Sequence, residues 1–349
     1  MTHDPDLDRN IREMLFRDLN RKARTLQQLK GGRNSRVFRV DCEDGPAVAV
    51  KAYFKSTHDP RDRMGCEFRA LQFLRSEGLR EIPMPLAMDA AHGIAAYEFA
   101  AGQPLRPGEA GEAEIDQAVA FLRTLKAIAD SGRAGDLPAA SEACFSIAAI
   151  LENLDSRFRR LEEASAGQTE LADFLRNEIL PFRKLAVQQC RDLCRQSGIA
   201  TDTEIPLSQW TLSPSDFGFH NALRGADGRL VFLDFEYFGW DDPAKTVADF
   251  CLHPAMQLPA ALRQRVFTGM MAAFPGVPNL PHRVRAVYPL FGLKWCAILL
   301  NEFTLDHLAR RCFADGSAKT TRSQNAQLEK ARHMLAQVKN DCHDFPGHP

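Results

Sequence analysis

The amino-acid sequence predicts an α+β fold with two lobes, a small antiparallel-sheet lobe followed by a larger, mostly helical lobe. Three observations indicate this division. Residues from about 26 to 100 alternate strand patterns with one helical pattern. Apolar residues recur every three to four positions through most of 102–205 and again beyond residue 249, as in amphipathic helices. A short hairpin pattern lies between the helical stretches. We therefore place the first lobe at residues 1–100 and the second at 101–349.

Composition indicates an ordinary globular protein. The 349 residues include 44 Lys and Arg against 45 Asp and Glu, so the net charge of −1 offers no basic surface for nucleic acid or an anionic membrane. Nine cysteines without a C-x-x-C pair fit a reducing cytosol. The acidic start lacks the apolar core of a signal peptide. The most apolar stretch, 286–300, is too short to span a bilayer and reads as a core helix.

The first lobe begins with an amphipathic helix over about 6–20, followed by a strand, a tight glycine turn and a second strand over 29–40. Backbone N–H groups at Gly31 and Gly32 can approach a phosphate closely because glycine has no Cβ. A buried-looking strand then ends in Lys51, and Glu67 follows in a segment with helical apolar spacing. Taken singly, such features are more often a hairpin turn, a surface lysine and a solvated helix face.

The segment from Ser213 to Glu236 carries the most specific pattern, Asp216-x₄-Asn221 followed by a hairpin that ends at Asp234. Asp227-Gly228 favours a two-residue type I′ turn, which would set Asn221 directly across from Asp234. Directly opposed residues have Cβ atoms only about 5 Å apart, close enough for two oxygen-bearing side chains to chelate a hard cation. Glu236, two residues further on, would share a face with Asp234 in an extended strand. The alternative is a surface hairpin with polar residues at its mouth by chance.

A glycine loop, a strand lysine, a helix glutamate, Asp-x₄-Asn and a second Asp, in this order, are how kinases arrange phosphoryl transfer. From about Leu26 to Phe250 the chain resembles the aminoglycoside phosphotransferase and choline kinase superfamily, a branch of the protein-kinase-like fold. The resemblance implies ATP and Mg²⁺ as cofactors, Asp216 as the catalytic base, and Asn221 and Asp234 as metal ligands, to which Glu236 can add a carboxylate. It also implies a set of nucleotide-binding residues: Gly31, Gly32, Asn34, Ser35, Lys51, which contacts phosphate, Glu67, which positions Lys51, and Glu98 and Ala100.

Glu98 and Ala100 belong to the segment 95–102, which falls where the family has its hinge. There the resemblance implies that their backbone groups bind adenine. The alternative for this segment is an ordinary edge strand that ends at Gly102.

The sequence departs from the family pattern at three positions. Pro214 stands where the family commonly has His, Glu236 stands where protein kinases have Gly, and Thr246 stands where family members often have Asp, with Asp249 one turn later. None of these changes removes a group that does the chemistry. Pro214 nevertheless favours an alternative, a catalytically weak or inactive pseudokinase that serves as a nucleotide-binding scaffold.

The acceptor implied by the resemblance is a small-molecule hydroxyl on a sugar, amino sugar, aminoglycoside or amino alcohol. A protein kinase is disfavoured because Asp234 is followed by no long segment with Ala-Pro-Glu, the platform for a peptide. Aromatic residues near the site suit a sugar face or a quaternary ammonium, although core packing is the alternative for most of them: Phe219, Tyr237, Phe238 and Trp240. We thus expect a cytoplasmic phosphotransferase, and the acceptor, the nucleoside and the oligomeric state stay open.

Overall fold

A computed structural model describes residues 4–29, 35–54, 61–304 and 321–343. The chain forms two compact units. Of the described residues, the first unit contains 4–104 and 221–238, and the second contains 105–220, 239–304 and 321–343. The hairpin that carries Asn221 and Asp234 thus belongs to the first unit. No described helix is both long and apolar enough to cross a membrane.

The first unit opens with helix α1 (Pro5–Leu19), which confirms the predicted amino-terminal helix. The Asp4 side chain caps it by accepting a hydrogen bond from the Leu7 N–H at 3.2 Å. The helix ends at Asn20, whose left-handed conformation is one that Asn tolerates. Its apolar face, which includes Ile11 and Met14, packs in one core cluster with strand residues of the same unit.

A five-stranded antiparallel sheet forms the body of this unit. Helix α2 (Arg63–Ser76) is capped by Asp62, which accepts a hydrogen bond from the Gly65 N–H at 2.9 Å. The strand order β1-β2-β3-β5-β4 places β3 at the centre of the sheet, so its side chains are buried. The strands are β1 (Ala23–Leu29), β2 (Ser35–Cys42), β3 (Val48–Tyr53), β4 (Pro85–Asp89) and β5 (Ile94–Glu98).

The hairpin has a different register from the one predicted. Strand β8 (Ala222–Arg224) lies between β6 (Gln103–Pro104) and β9 (Leu230–Phe232). Five residues separate β8 from β9. The Gly225 N–H donates to the Arg229 carbonyl, so the turn itself comprises three residues, 226–228, and not two, and Gly228 is left-handed with φ of 79°.

The consequence is a shift of one residue along the hairpin. The Leu233 N–H donates to the Asn221 carbonyl at 2.8 Å. Asn221 therefore faces Leu233 rather than Asp234, and the predicted direct pairing is wrong by one residue.

The second unit is mostly helical, as predicted. Helix α9 (Leu280–Leu299) is mostly buried, packs against four other α-helices and confirms the predicted core helix. Strands β7 (Thr211–Ser213) and β10 (Gly239–Asp241) form a small antiparallel pair. The remaining helices are α3 (Glu112–Asp130), α4 (Ile147–Ala164), α5 (Thr169–Phe174), α6 (Leu180–Gln196), α7 (Pro243–Leu252), α8 (Ala260–Ala273) and α10 (Thr321–His343).

Candidate active site

The first unit brings three predicted site residues, Glu67, Asp234 and Glu236, together around a fourth, Lys51. The lysine lies on β3 opposite Ala95 of β5 and is only 8% exposed. Its Nζ donates to Glu67 Oε2 at 2.7 Å and to Asp234 Oδ1 at 2.6 Å, and it lies 3.6 Å from Glu236 Oε2. Lys51 is therefore a buried, paired cation and not a surface lysine.

The charges around Lys51 are unbalanced. Burial by itself would lower the pKa of Lys51, but the charges of Asp234, Glu67 and Glu236 outweigh it and raise that pKa well above its ordinary value. One ammonium thus faces three carboxyl groups, whose oxygens lie within 4.8 Å of one another. Carboxylate oxygens are the ligands that Mg²⁺ prefers, and a divalent cation would balance the excess negative charge. The residues present therefore fit the metal that the fold implies.

The backbone conformation that brings Asp234 and Glu236 close to Lys51 differs from the predicted one. Strand β9 ends at Phe232, and Asp234 adopts a left-handed conformation with φ of 65°. Glu236 follows in a turn, so the expectation of an extended strand here is wrong. The Phe235 N–H donates to Glu67 Oε1 at 3.3 Å and ties this turn to helix α2.

Two tyrosines complete the cluster, and we did not predict them. The Tyr53 hydroxyl donates to Glu67 Oε2 at 2.6 Å, and the Tyr97 hydroxyl lies 2.7 Å from that of Tyr53. Burial, together with the Glu67 charge, raises the pKa of Tyr53 well above its usual value, so the phenol remains a donor. A signal was available, since Tyr53 follows Lys51 by two residues and shares its face of the strand.

Of the other predicted nucleotide-binding residues, the structure describes Ser35, Glu98 and Ala100. Ser35 is buried at the start of β2, whereas Gly31, Gly32 and Asn34 lie outside the described residues. Glu98 ends β5, and its backbone N–H donates to the Met84 carbonyl at 2.8 Å. Because this N–H already has a partner, the predicted contact between adenine and Glu98 would have to involve the Glu98 carbonyl. Ala100 follows the strand and is half-buried.

The second unit contains Asp216 on a tight loop that follows β7. Ser215 is left-handed with φ of 67°, and its N–H donates to Ser213 Oγ at 3.0 Å. The Asp216 N–H donates to the Pro214 carbonyl at 2.9 Å. The Ser215 hydroxyl in turn accepts a hydrogen bond from Lys245 Nζ at 3.1 Å. Local bonds and one lysine therefore hold the backbone that presents Asp216.

Lys245 belongs to a buried network of charges that we did not predict. It donates to Asp241 Oδ2 at 2.6 Å and lies 3.4 Å from Asp249 Oδ2. Asp249 also accepts from Lys294 at 2.9 Å. The signal in the sequence was the four-residue spacing of Lys245 and Asp249, which places both on one face of α7. Asp249, which follows the unexpected Thr246, is thus a central member of this network.

Two histidines contact the carboxylate of Asp216. His220 Nε2 lies 3.2 Å and His253 Nε2 lies 3.4 Å from the same oxygen, Oδ1. The two imidazole rings are stacked, with centroids 3.7 Å apart and planes only 2° from parallel. His220 precedes Asn221 in the motif, but nothing in the sequence pairs His253 with Asp216.

Most of the aromatic residues near the motif pack in the core, as the alternative reading held. Phe219, Phe238 and Trp240 are buried. Tyr237 is half-buried and lies close to the guanidinium groups of Arg61 and Arg63. Aromatic side chains therefore give little support for a sugar over the other predicted acceptors.

Comparison with known proteins agrees with this arrangement. The chain is similar to the spectinomycin phosphotransferase APH(9)-Ia in complex with ADP and spectinomycin, at 13% identity with a TM-score of 0.62 over 97% of this chain and 98% of that one. It is also similar to the choline kinase LicA from Streptococcus pneumoniae, at 16% identity with a TM-score of 0.61 over 95% of this chain and 99% of that one. For APH(2")-IIa in its gentamicin complex, the identity is 14% and the TM-score 0.59 over 97% of each chain. Comparison with curated protein sequences gives no match.

At these identities the structural likeness shows the fold, and a sequence model of the family decides membership. The model described as the phosphotransferase enzyme family matches residues 25–275, which include every predicted site residue. The chain therefore belongs to the phosphotransferase enzyme family and is an enzyme of the protein-kinase-like fold.

Proposed function

We propose that the protein is an ATP- and Mg²⁺-dependent phosphotransferase that transfers the γ-phosphoryl group to a hydroxyl of a small molecule. The observation that carries this proposal is the Lys51 cluster. A buried lysine paired with Glu67 and Asp234 is the arrangement with which kinases hold nucleotide phosphates and their metal. Relatives of the same fold are described in complex with ADP, which supports a nucleotide as the donor.

The role of each residue follows from its chemistry. Lys51 binds phosphate oxygens, and Glu67 positions Lys51. Asn221, Asp234 and Glu236 would hold Mg²⁺, which would neutralise charge on the phosphates. The loop with Gly31, Gly32, Asn34 and Ser35 covers the phosphates, and the backbone of Glu98 and Ala100 binds adenine. Asp216 accepts the proton of the acceptor hydroxyl.

For the acceptor we propose a sugar, amino sugar, aminoglycoside or amino alcohol. This proposal is supported by structurally similar proteins described as phosphotransferases or kinases for spectinomycin, choline and ethanolamine. We also propose that the enzyme works in the cytosol. In support, the eight cysteines within the described ranges are all free thiols.

The test of the proposed chemistry is Asp216→Asn. We expect turnover, measured as acceptor-dependent ADP release, to fall by at least about 100-fold, since positioned acid–base groups contribute roughly 10²–10⁴-fold. ATP binding measured by calorimetry is expected to survive, because Asp216 and the Lys51 cluster belong to different units. Asp173→Asn, an exposed change of the same kind, is the control. A near-normal rate in Asp216→Asn would contradict the assignment of the base.

A second candidate is a pseudokinase that binds nucleotide without transferring it. The observation that favours it is Pro214, which places a side chain without a hydrogen-bond donor in the loop of Asp216. Calorimetric binding of MgATP by a wild-type protein that releases no ADP with any acceptor class would establish this function in place of the first.

A further inference from the structure

The orientation of His253 identifies which of its ring atoms carries a proton. His253 caps the carboxyl end of α7, and its Nδ1 accepts a hydrogen bond from the Ala255 N–H at 3.1 Å. An acceptor nitrogen carries no proton, so the proton of the neutral ring lies on Nε2. Nε2 is the atom that faces Asp216 Oδ1 at 3.4 Å. His253 therefore directs a donor at the carboxylate.

Two ring contacts restrain the His253 side chain. One face stacks on His220, and Trp295 meets the ring at 78° with a centroid distance of 4.4 Å. The side chain is only 12% exposed. His220, held in place by this stack, brings a second Nε2 to the same Asp216 oxygen at 3.2 Å.

The cluster of Asp216, His220 and His253 is not suited to a metal ion, although its ligand atoms lie close together. The nitrogen of His253 that faces the carboxylate carries a proton and so has no lone pair to donate. The arrangement instead suits two donors on one carboxylate oxygen.

We propose that His253 is a positioning residue, which orients the carboxylate of Asp216 directly and through its stack on His220. The inference deepens the proposed function and rests on it. Two donors on Oδ1 fix the plane of the carboxylate and hence the direction in which it meets an acceptor hydroxyl. Pro214 contributes no side-chain donor to this loop. Both ends of helix α7 therefore contact this loop. Near the start of the helix Lys245 donates to the Ser215 hydroxyl, and at its end His253 contacts the Asp216 carboxylate.

The kinetic test compares two substitutions of His253. His253→Phe keeps a ring for the stack but removes the donor, whereas His253→Gln retains an N–H near the position of Nε2. We expect His253→Phe to lower kcat by about 10- to 100-fold, because small misplacements of a catalytic group cost up to roughly 10²-fold. The KM for ATP is expected to stay within about twofold, since the Lys51 cluster is untouched. We expect His253→Gln to restore most of kcat.

The assay measures ADP release with choline, ethanolamine and spectinomycin as the first acceptor probes. His333→Phe, an exposed change of the same kind on α10, is the matched control. Wild-type kcat in His253→Phe, alongside an inactive Asp216→Asn, would overturn the inference and leave the proposed function intact. Equal rates in the wild type and Asp216→Asn would instead remove the proposed base, and the inference with it.

A second measurement does not depend on turnover. In protein labelled with ¹⁵N-histidine, long-range ¹H–¹⁵N correlation reports which ring nitrogen is protonated, and His253→Phe identifies the signal. We expect the neutral His253 ring to carry its proton on Nε2, and we expect the Nε2 shift to move in Asp216→Asn. A proton on Nδ1, or a shift that is indifferent to Asp216→Asn, would overturn the inference even in an active enzyme.

Discussion

At the scale of single residues, Lys51 is held by the charges of three carboxylates. It is buried, and it balances only part of the charge of Glu67, Asp234 and Glu236. A buried carboxylate that loses its cation is left without compensation in a medium of low dielectric. The same residue that is proposed to bind phosphate therefore also stabilises the fold.

This dual role predicts the effect of Lys51→Met. We expect its free energy of unfolding in urea to fall by about 3 kcal/mol, the typical cost of breaking a buried ion pair. Mg²⁺ is expected to recover more stability in this variant than in the wild type, because a cation again balances the carboxylates. Lys22→Met, an exposed change of the same kind, is the control. A variant as stable as the wild type without Mg²⁺ would contradict the prediction.

The pH dependence of this difference has a definite sign. The folded-state pKa of Lys51 is raised above the ordinary 10.5, so its contribution is complete below that value and is lost as the pH rises through the raised pKa. We therefore expect the stability difference between wild type and Lys51→Met to be constant from about pH 7 to about pH 9.5. A difference that shrinks within this range would show that Lys51 already titrates there.

The metal assignment predicts unequal effects of two substitutions. Asp234→Ala is expected to weaken Mg²⁺-dependent ATP binding more than Asn221→Ala, since only the aspartate brings a formal charge to the cation. Calorimetric titration with ATP, with and without Mg²⁺, measures both. Asp44→Ala, on an exposed loop of the same unit, is the control. Unchanged Mg²⁺ dependence in Asp234→Ala would remove this residue from the ligand set.

At the scale of elements, the hairpin shows what its local sequence leaves open. Asp227-Gly228 marks the turn correctly, but a two-residue and a three-residue loop place the same glycine in a left-handed conformation. The choice depends on the Gly225 N–H, which donates to the Arg229 carbonyl. The identities of the residues do not determine whether such a backbone hydrogen bond forms. The predicted register was therefore wrong by one residue.

This loop predicts a measurable cost for Gly228→Ala. A Cβ at this position would meet nothing within 4 Å, so the expected loss of about 1–2 kcal/mol comes from the left-handed backbone alone. Gly276→Ala, equally open but without a positive φ, is the matched control. Urea unfolding of both variants is the measurement. Equal stability of the two would contradict a left-handed conformation at residue 228.

Helix patterns were predicted more reliably than helix details. Apolar residues keep helical spacing through 171–196, but a π-helical turn, Leu175–Ile179, separates α5 from α6. We attribute this turn to Pro181, which has no N–H for the carbonyl four residues earlier, so the wider turn takes up the mismatch. The periodicity of the sequence identifies the apolar face of the helix, which includes the buried Cys190 and Cys194. It does not identify the effect of the N–H group that Pro181 lacks.

At the scale of the whole molecule, the structure confirms the predicted α+β class. The class could be predicted because the sequence of each unit has a clear pattern of its own. Alternating strands predicted the sheet, and helical periodicity predicted the second unit. The residues around Lys51 were predicted from short motifs in a fixed chain order. His253 was not, because its contact with Asp216 joins residues distant in sequence through the packing of α7.

The composition of the whole chain bears on its substrate. A net charge of −1 provides no long-range attraction for nucleic acid or an anionic membrane. We expect ADP release with at least one member of a panel of sugars, amino sugars, aminoglycosides and amino alcohols, and none with casein or histone as a general protein substrate. Phosphorylation of these proteins with no response to the panel would contradict the small-molecule acceptor.

The buried network of Lys245 has a consequence for how new activities arise. Lys245, Asp241 and Asp249 lie in the interior of the second unit, so the loop of Asp216 is secured from inside. Substitutions on the outer surface leave these bonds in place. We therefore expect that laboratory evolution toward new acceptors can change exposed side chains of this unit while α7, and with it the proposed phosphoryl transfer, stays unchanged.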